Sequence, residues 1–200
     1  KKSTHAINII STISAVGVAV ATMALVVTLS VFNGFHDLVA SFFTTFDPQL
    51  KVVPVSGKTV AADDPTLKTI CSLKQVEVAT EIVEDMALAT YNGRQAMVKI
   101  KGVEDNFDSL THIREILEGD GEYCLHAADM HYGIVGIRLA ERFGMGYTFQ
   151  NELKIYAPKR EGQLNLANPQ DGFVEGNLYS PGVLFCVKQG KYDKNYILTS

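Results

Sequence analysis

From Ser3 to His36 the chain carries no Asp, Glu, Lys or Arg. Its densest part, Ile13 to Phe32, makes about 30 Å of α-helix, the thickness of a bilayer hydrocarbon core. Ser14, Thr22, Thr28 and Ser30 are the polar members. Each hydroxyl has a carbonyl one turn back to bond, so none opposes insertion strongly. A cleaved signal peptide has a shorter apolar region and a small-x-small cleavage site, and Phe32-Asn33-Gly34-Phe35 offers no such site. A buried helix of a soluble protein rarely runs this far without a charge. The stretch is therefore read as a transmembrane helix. Lys1 and Lys2 precede it and Asp37 follows, so the positive-inside rule puts the N-terminus in the cytoplasm and everything after Asn33 outside.

A helix that only anchors a domain can be nearly all Leu. This one holds Ala15, Gly17, Ala19, Ala21 and Ala24. The pairs Ala15/Ala19 and Gly17/Ala21 are each spaced four apart, which lets helix backbones approach closely in lipid. These small residues are expected on one arc, packed against a partner membrane helix. Val20, Met23, Val27 and Val31 are expected on a neighbouring arc, facing a substrate's apolar chains. Beyond the span, Phe35 to Phe43 keeps helical spacing while admitting polar residues, as a helix does on leaving through lipid headgroups.

The rest reads as a mixed α+β domain. Asp47-Pro48 breaks the long helix, and Leu50 to Val55 is a short extended run. Asp63-Asp64-Pro65 supplies an N-cap and a first-turn proline to a helix on which Leu67, Ile70, Cys71 and Leu73/Val76 follow at helical spacing. Val76 to Met86 reads as a strand. Leu88 to Tyr91 and Gln95 to Ile100 flank Asn92-Gly93, a strong hairpin signal. Gly133 to Phe143 reads as one amphipathic helix ended by Gly144. Glu152 to Pro158, Gly182 to Val187 and Tyr196 to Leu198 read as strands. Lys159 to Pro181 is polar and turn-rich, hence a projecting loop or irregular hairpin. The expected division is 1–46, cytoplasmic start, membrane helix and interfacial extension, and 47–200, the extracytoplasmic domain.

Eighteen Lys+Arg against 22 Asp+Glu give a net charge of −4, which excludes a nucleic-acid binder acting through a general basic field. Cys71, Cys124 and Cys186 are too far apart for a zinc framework, and buried free thiols are favoured over one bridge with a leftover. Ser56-Gly57-Lys58-Thr59 imitates the end of a phosphate-binding loop. The first glycine of such a loop is replaced by Val52, so no nucleotide site is expected. His126, Asp129 and His131 near Cys124 do not share one face at their spacing, and no metal is expected. No nucleophile–base arrangement stands out, so neither catalytic residues nor a cofactor are expected.

The order of features resembles the LolC/LolE family, the permeases of lipoprotein-releasing ABC transporters. The resemblance rests on Ile7 to Val39 and on the helix exit Ser30-Val31-Phe32-Asn33-Gly34-Phe35. Lys101-Gly102-Val103, Gly136 to Ala140 before Phe143-Gly144, Leu153 to Pro158 and Tyr192 to Tyr196 add to it. It implies an N-terminal piece of a longer chain with three further membrane helices, lodged in the bacterial inner membrane with its main domain periplasmic. It implies no enzyme activity of its own, a second permease subunit or homodimer, membrane lipid around it, and a separate cytoplasmic ATPase. The substrate would be a lipoprotein, handed to a periplasmic chaperone that docks on a projecting loop such as Lys159 to Pro181. Two rivals remain open: a related MacB/FtsX-like permease exporting another substrate or controlling cell-wall hydrolysis, and a single-span periplasmic sensor or binding protein.

Overall fold

The computed structural model describes residues 2–48, 50–57, 59–61, 63–159 and 172–200. The chain forms two compact units, Lys1–Phe43 and Thr44–Ser200. The first is occupied by the helix α1, Lys2–Phe46, whose last three residues lie in the second unit. Within α1, Ile7–Val39 is long and apolar enough to cross a membrane, and none of it is buried by the rest of the protein. Thr22 Oγ1 donates to Val18 O and Thr28 Oγ1 to Ala24 O, both at 2.8 Å, so these hydroxyls are satisfied inside the helix. Asp47-Pro48 ends α1 where the sequence places the break.

The second unit is built on an eight-stranded mixed sheet. Its strands are β1 (Ile82–Tyr91), β2 (Arg94–Val103), β3 (Leu117–Gly119), β6 (Ile134–Gly136), β7 (Leu153–Pro158), β8 (Phe173–Leu178), β9 (Val183–Phe185) and β10 (Tyr196–Thr199). Their order is β3-β9-β6-β10-β2-β1-β7-β8. β10 runs parallel to β2 and antiparallel to β6. A separate ribbon pairs β4 (His126–Ala127) with β5 (Met130–His131). The short helices are α2 (Pro65–Cys71), α3 (Phe107–Leu110), a 3-10 turn at Ile113–Ile116, α4 (Ile137–Phe143) and α5 (Gly190–Asp193).

Burial shows how the sheet is clothed. In β1, Ala87, Ala89 and Tyr91 are buried while their neighbours are not, the alternation of a strand covered on one face. All four residues of β10 are buried, as are all three of β6 and of β9, which marks strands covered on both faces. One core cluster joins Val98, Val135, Leu139, Phe143, Leu153 and Ile197; the other joins Phe46, Phe107, Ile113, Ile134, Phe185 and Leu198. Adjacent residues such as Ile134 and Val135 enter different clusters, so the clusters lie on opposite faces of the sheet.

Several expectations hold and several need correction. Asn92 and Gly93 take φ of +47° and +78°, the left-handed pair of a tight hairpin between β1 and β2. Asp64 caps α2 through a 2.7 Å bond from Thr66 N, and Gly144 ends α4 at φ +70°. By contrast, Gly133 to Phe143 is not one helix. Ile134-Val135-Gly136 is a strand buried on both faces, and a Cβ on Gly136 would stand 2.6 Å from Asp193 O, so backbone closeness overrides the helical spacing. The strand read from Val76 begins only at Ile82, and Leu50 to Val55 joins no ladder among the described residues. Of the two readings of Lys159 to Pro181, the hairpin holds: Phe173–Leu178 is the strand β8, paired antiparallel along its length with β7; residues 160–171 lie outside the described residues. Cys71 is exposed and Cys124 and Cys186 are half-buried, so the free thiols are not core residues as expected.

Candidate functional site

The expected membrane stripe lies on a regular helix. Val20, Met23, Val27 and Val31 are 58%, 66%, 54% and 67% exposed. At about 100° per residue they occupy an arc of about 80°. The same geometry corrects the placing of the small residues. Ala15/Ala19 and Gly17/Ala21 do not share an arc; the two pairs stand about 160° apart, each about 100° from the centre of the stripe. The larger side chains are thus flanked by two lines of small ones. A Cβ on Gly17 would meet nothing within 4 Å in this chain, so the first unit offers that position no partner of its own.

A second arrangement, which the sequence reading missed, lies wholly inside the second unit. Lys101 on β2 is fully buried. Its Nζ donates to Phe46 O at 2.8 Å and lies 3.4 Å from Asp47 Oδ1. It also stands 4.3 Å from the ring centroid of Phe46 and 5.0 Å from that of Phe107. Phe46 is itself fully buried, with ring centroids of Phe185, Tyr192 and Tyr196 at 5.0, 4.8 and 5.6 Å. The Tyr192 hydroxyl donates to Asp47.

Burial pushes the Lys101 ammonium below its ordinary range, opposed first by Asp47 and then by Glu84. Glu84 pairs across the β1–β2 ladder with Lys101. Burial raises the Tyr192 phenol, reinforced by its bond to Asp47. A lysine over the last carbonyls of a helix satisfies a group that no helical turn follows and complements the helix dipole. In chemical terms the arrangement is a clasp: it holds the end of α1 by charge, hydrogen bond and aromatic packing, and it presents no reactive group to solvent.

The other sequence candidates do not converge. His131 Nδ1 lies 2.8 Å from Ser200 Oγ, His126 Nδ1 is 3.3 Å from Asp105, and Cys124 Sγ donates to the His126 carbonyl. Among the described residues no three His, Cys, Asp or Glu side chains gather as a metal site would need. Gly57 has φ +87° in an exposed turn, and Lys58 lies outside the described residues.

The description "MacB-like periplasmic core domain" matches residues 11–161, from within α1 to just past β7. The chain belongs to that family. Membership places it among the permeases of ABC transporters, a family that works with an ATPase partner and a permease partner. No curated protein matches the chain. The family match includes Phe46, Asp47 and Lys101, whereas Phe185, Tyr192 and Tyr196, which complete the clasp, follow it in sequence.

Proposed function

We propose that this MacB-like chain is the permease subunit of a lipoprotein-releasing transporter of the LolC/LolE type. It would sit in the bacterial inner membrane with residues 47–200 in the periplasm. The observation that carries the reading is the uncovered helix Ile7–Val39, whose Ser30 to Phe35 exit resembles that family's. In this reading Val20, Met23, Val27 and Val31 face the acyl chains of the substrate. Ala15, Ala19, Gly17 and Ala21 receive neighbouring helices of a second permease subunit or a second copy. Apolar side chains suit acyl groups because both lie in hydrocarbon, where close van der Waals packing needs no specific bond. ATP binding and hydrolysis in the partner ATPase drives release, and a periplasmic chaperone receives the product.

The test is release from proteoliposomes holding the full permease, its ATPase and a triacylated lipoprotein, with a soluble chaperone outside. ATP-dependent transfer of lipoprotein to the chaperone supports the reading. ATP-dependent efflux of a drug or peptide with the lipoprotein left in the bilayer assigns the chain instead to the exporting branch of the same family.

A further inference from the structure

Arg138 and Arg142 stand one turn apart on α4, Lys194 follows α5, and all three are exposed. With Asn195 and Glu141 they line an open groove of about 560 Å³ that lies wholly within the second unit. None of the three is in an ion pair among the described residues. Elsewhere Lys51, Lys68, Arg114 and Lys154 each have a carboxylate partner. The carbonyls at the end of α4 do not occupy the three cations. Ala140 O accepts from Met145 N, Glu141 O from Gly144 N, and Arg142 O from Arg94 Nη1 at 3.1 Å. Asp193 attracts Arg138, but it is buried and its Oδ1 accepts from Val187 N at 2.8 Å. Three cations against the exposed carboxylate of Glu141 leave the groove positive in a chain of net charge −4, which selects an anionic partner.

Shape and spacing select which anion. A small-molecule site encloses most of its ligand, whereas this groove is open to solvent. Glu141 on its wall repels a compact polyanion such as a di- or triphosphate, yet leaves room for two separate carboxylates. Guanidinium forks take planar carboxylates through paired, parallel hydrogen bonds. Residues four apart on a helix, as Arg138 and Arg142 are, have Cβ atoms about 5–6 Å apart. Alternate residues of an extended chain are about 6.8 Å apart, a close match. We propose that the α4 groove docks an extended acidic segment of a protein partner, with alternate carboxylates on Arg138 and Arg142 and the chain passing Lys194 and Asn195. The proposal rests on the second unit alone and holds whatever substrate the permease carries.

The experiment uses the full chain in phosphatidylcholine nanodiscs and fluorescein-labelled peptides of Gly and Ser that carry a pair of glutamates. With the glutamates at alternate positions, fluorescence anisotropy should show binding about tenfold tighter than for the same peptide with Gln at both places. Adjacent glutamates should bind several-fold less tightly than alternate ones. Combined Arg138→Gln and Arg142→Gln should bring the Glu peptide to the level of the Gln peptide, with the melting temperature unchanged. Lys194→Gln alone should weaken it several-fold, whereas Lys68→Gln should not. Equal binding of the Glu and Gln peptides, equal binding of alternate and adjacent glutamates, or a difference that survives the double variant overturns the proposal. So does displacement of the peptide by inorganic phosphate at constant ionic strength, which marks a small-anion site, or by phosphatidylglycerol in the disc, which marks a lipid site. Self-association of the chain that the double variant abolishes overturns it too, by assigning the groove to a second copy.

Discussion

Lys101 Nζ lies 2.8 Å from the carbonyl oxygen of Phe46, the last residue of the long helix. The two are 55 residues apart in sequence, and their bond fixes the helix end to the middle of the sheet within the second unit. A buried ammonium is tolerated there because it has a carbonyl, a carboxylate and two aromatic faces in place of water.

Replacing Lys101 by Met keeps the length of the side chain and removes its proton donor. The Phe46 carbonyl is then buried without that partner, and stability should fall by about 1–3 kcal/mol. Phe46→Ala should lower it further, by about 3–5 kcal/mol, because a fully buried ring is lost from an aromatic cluster. Denaturant midpoints of the detergent-solubilised chain check both. An unchanged midpoint in Lys101→Met would mean that the clasp contributes nothing.

Alkaline pH should loosen the same region. Burial raises the phenols of Tyr123, Tyr192 and Tyr196 above their ordinary value of 10. A group whose folded pKa is raised contributes stability that is fully present below its unfolded pKa and lost as pH climbs through the folded one. Lys101 acts in the opposite sense. Its lowered folded pKa makes its own share of stability grow as pH rises towards 10.5. With these three phenols, and Tyr179 raised by its hydrogen bond to Glu152, against one ammonium, unfolding midpoints should fall between about pH 10 and 12. Tyr192→Phe should make that fall shallower; a fall as steep as in the parent would refute the assignment.

The hairpin turn offers a purely conformational test. Gly93 sits at φ +78°, and a Cβ there would touch nothing within 4 Å. Gly93→Val should therefore lower stability through backbone strain alone, by about 1–2 kcal/mol. Thermal unfolding checks this, and a neutral result would mean that the turn adopts another conformation.

Much of this was legible in the sequence, and the failures share a cause. The membrane helix, the hairpin at Asn92-Gly93, the Asp64 cap and the Gly144 stop each depend on local chemistry within a few residues. What was misread or left open depends on distant partners. Ile134 to Gly136 has helical spacing but is drawn into strand by β9 and β10 on either side. Phe173 to Leu178 sits in a turn-rich stretch that left loop and irregular hairpin equally open, and only its backbone pairing with β7 decides for the hairpin. Lys101 gives no local sign of burial, since its partners are Phe46 and Asp47, more than fifty residues earlier.

We propose that Lys1 and Lys2, preceding the charge-free span, keep the N-terminus in the cytoplasm. A reporter active only outside the cytoplasm, fused after Val103, should be active, and its cytoplasmic counterpart at the same position silent. The reverse pattern would invert the topology and remove the periplasmic assignment of the sheet domain.

The most direct test of the permease reading is site-specific photocrosslinking from positions 17 and 27 in the assembled complex within native membranes. Val27 lies in the exposed stripe, and Gly17 lies in a line of small residues about 100° from the stripe's centre. A photoreactive residue at 27 should capture lipoprotein, and one at 17 should capture a neighbouring membrane helix. Lipoprotein captured at 17 and not at 27 would reverse the two faces, and lipoprotein captured at neither would remove this helix from the path of the substrate.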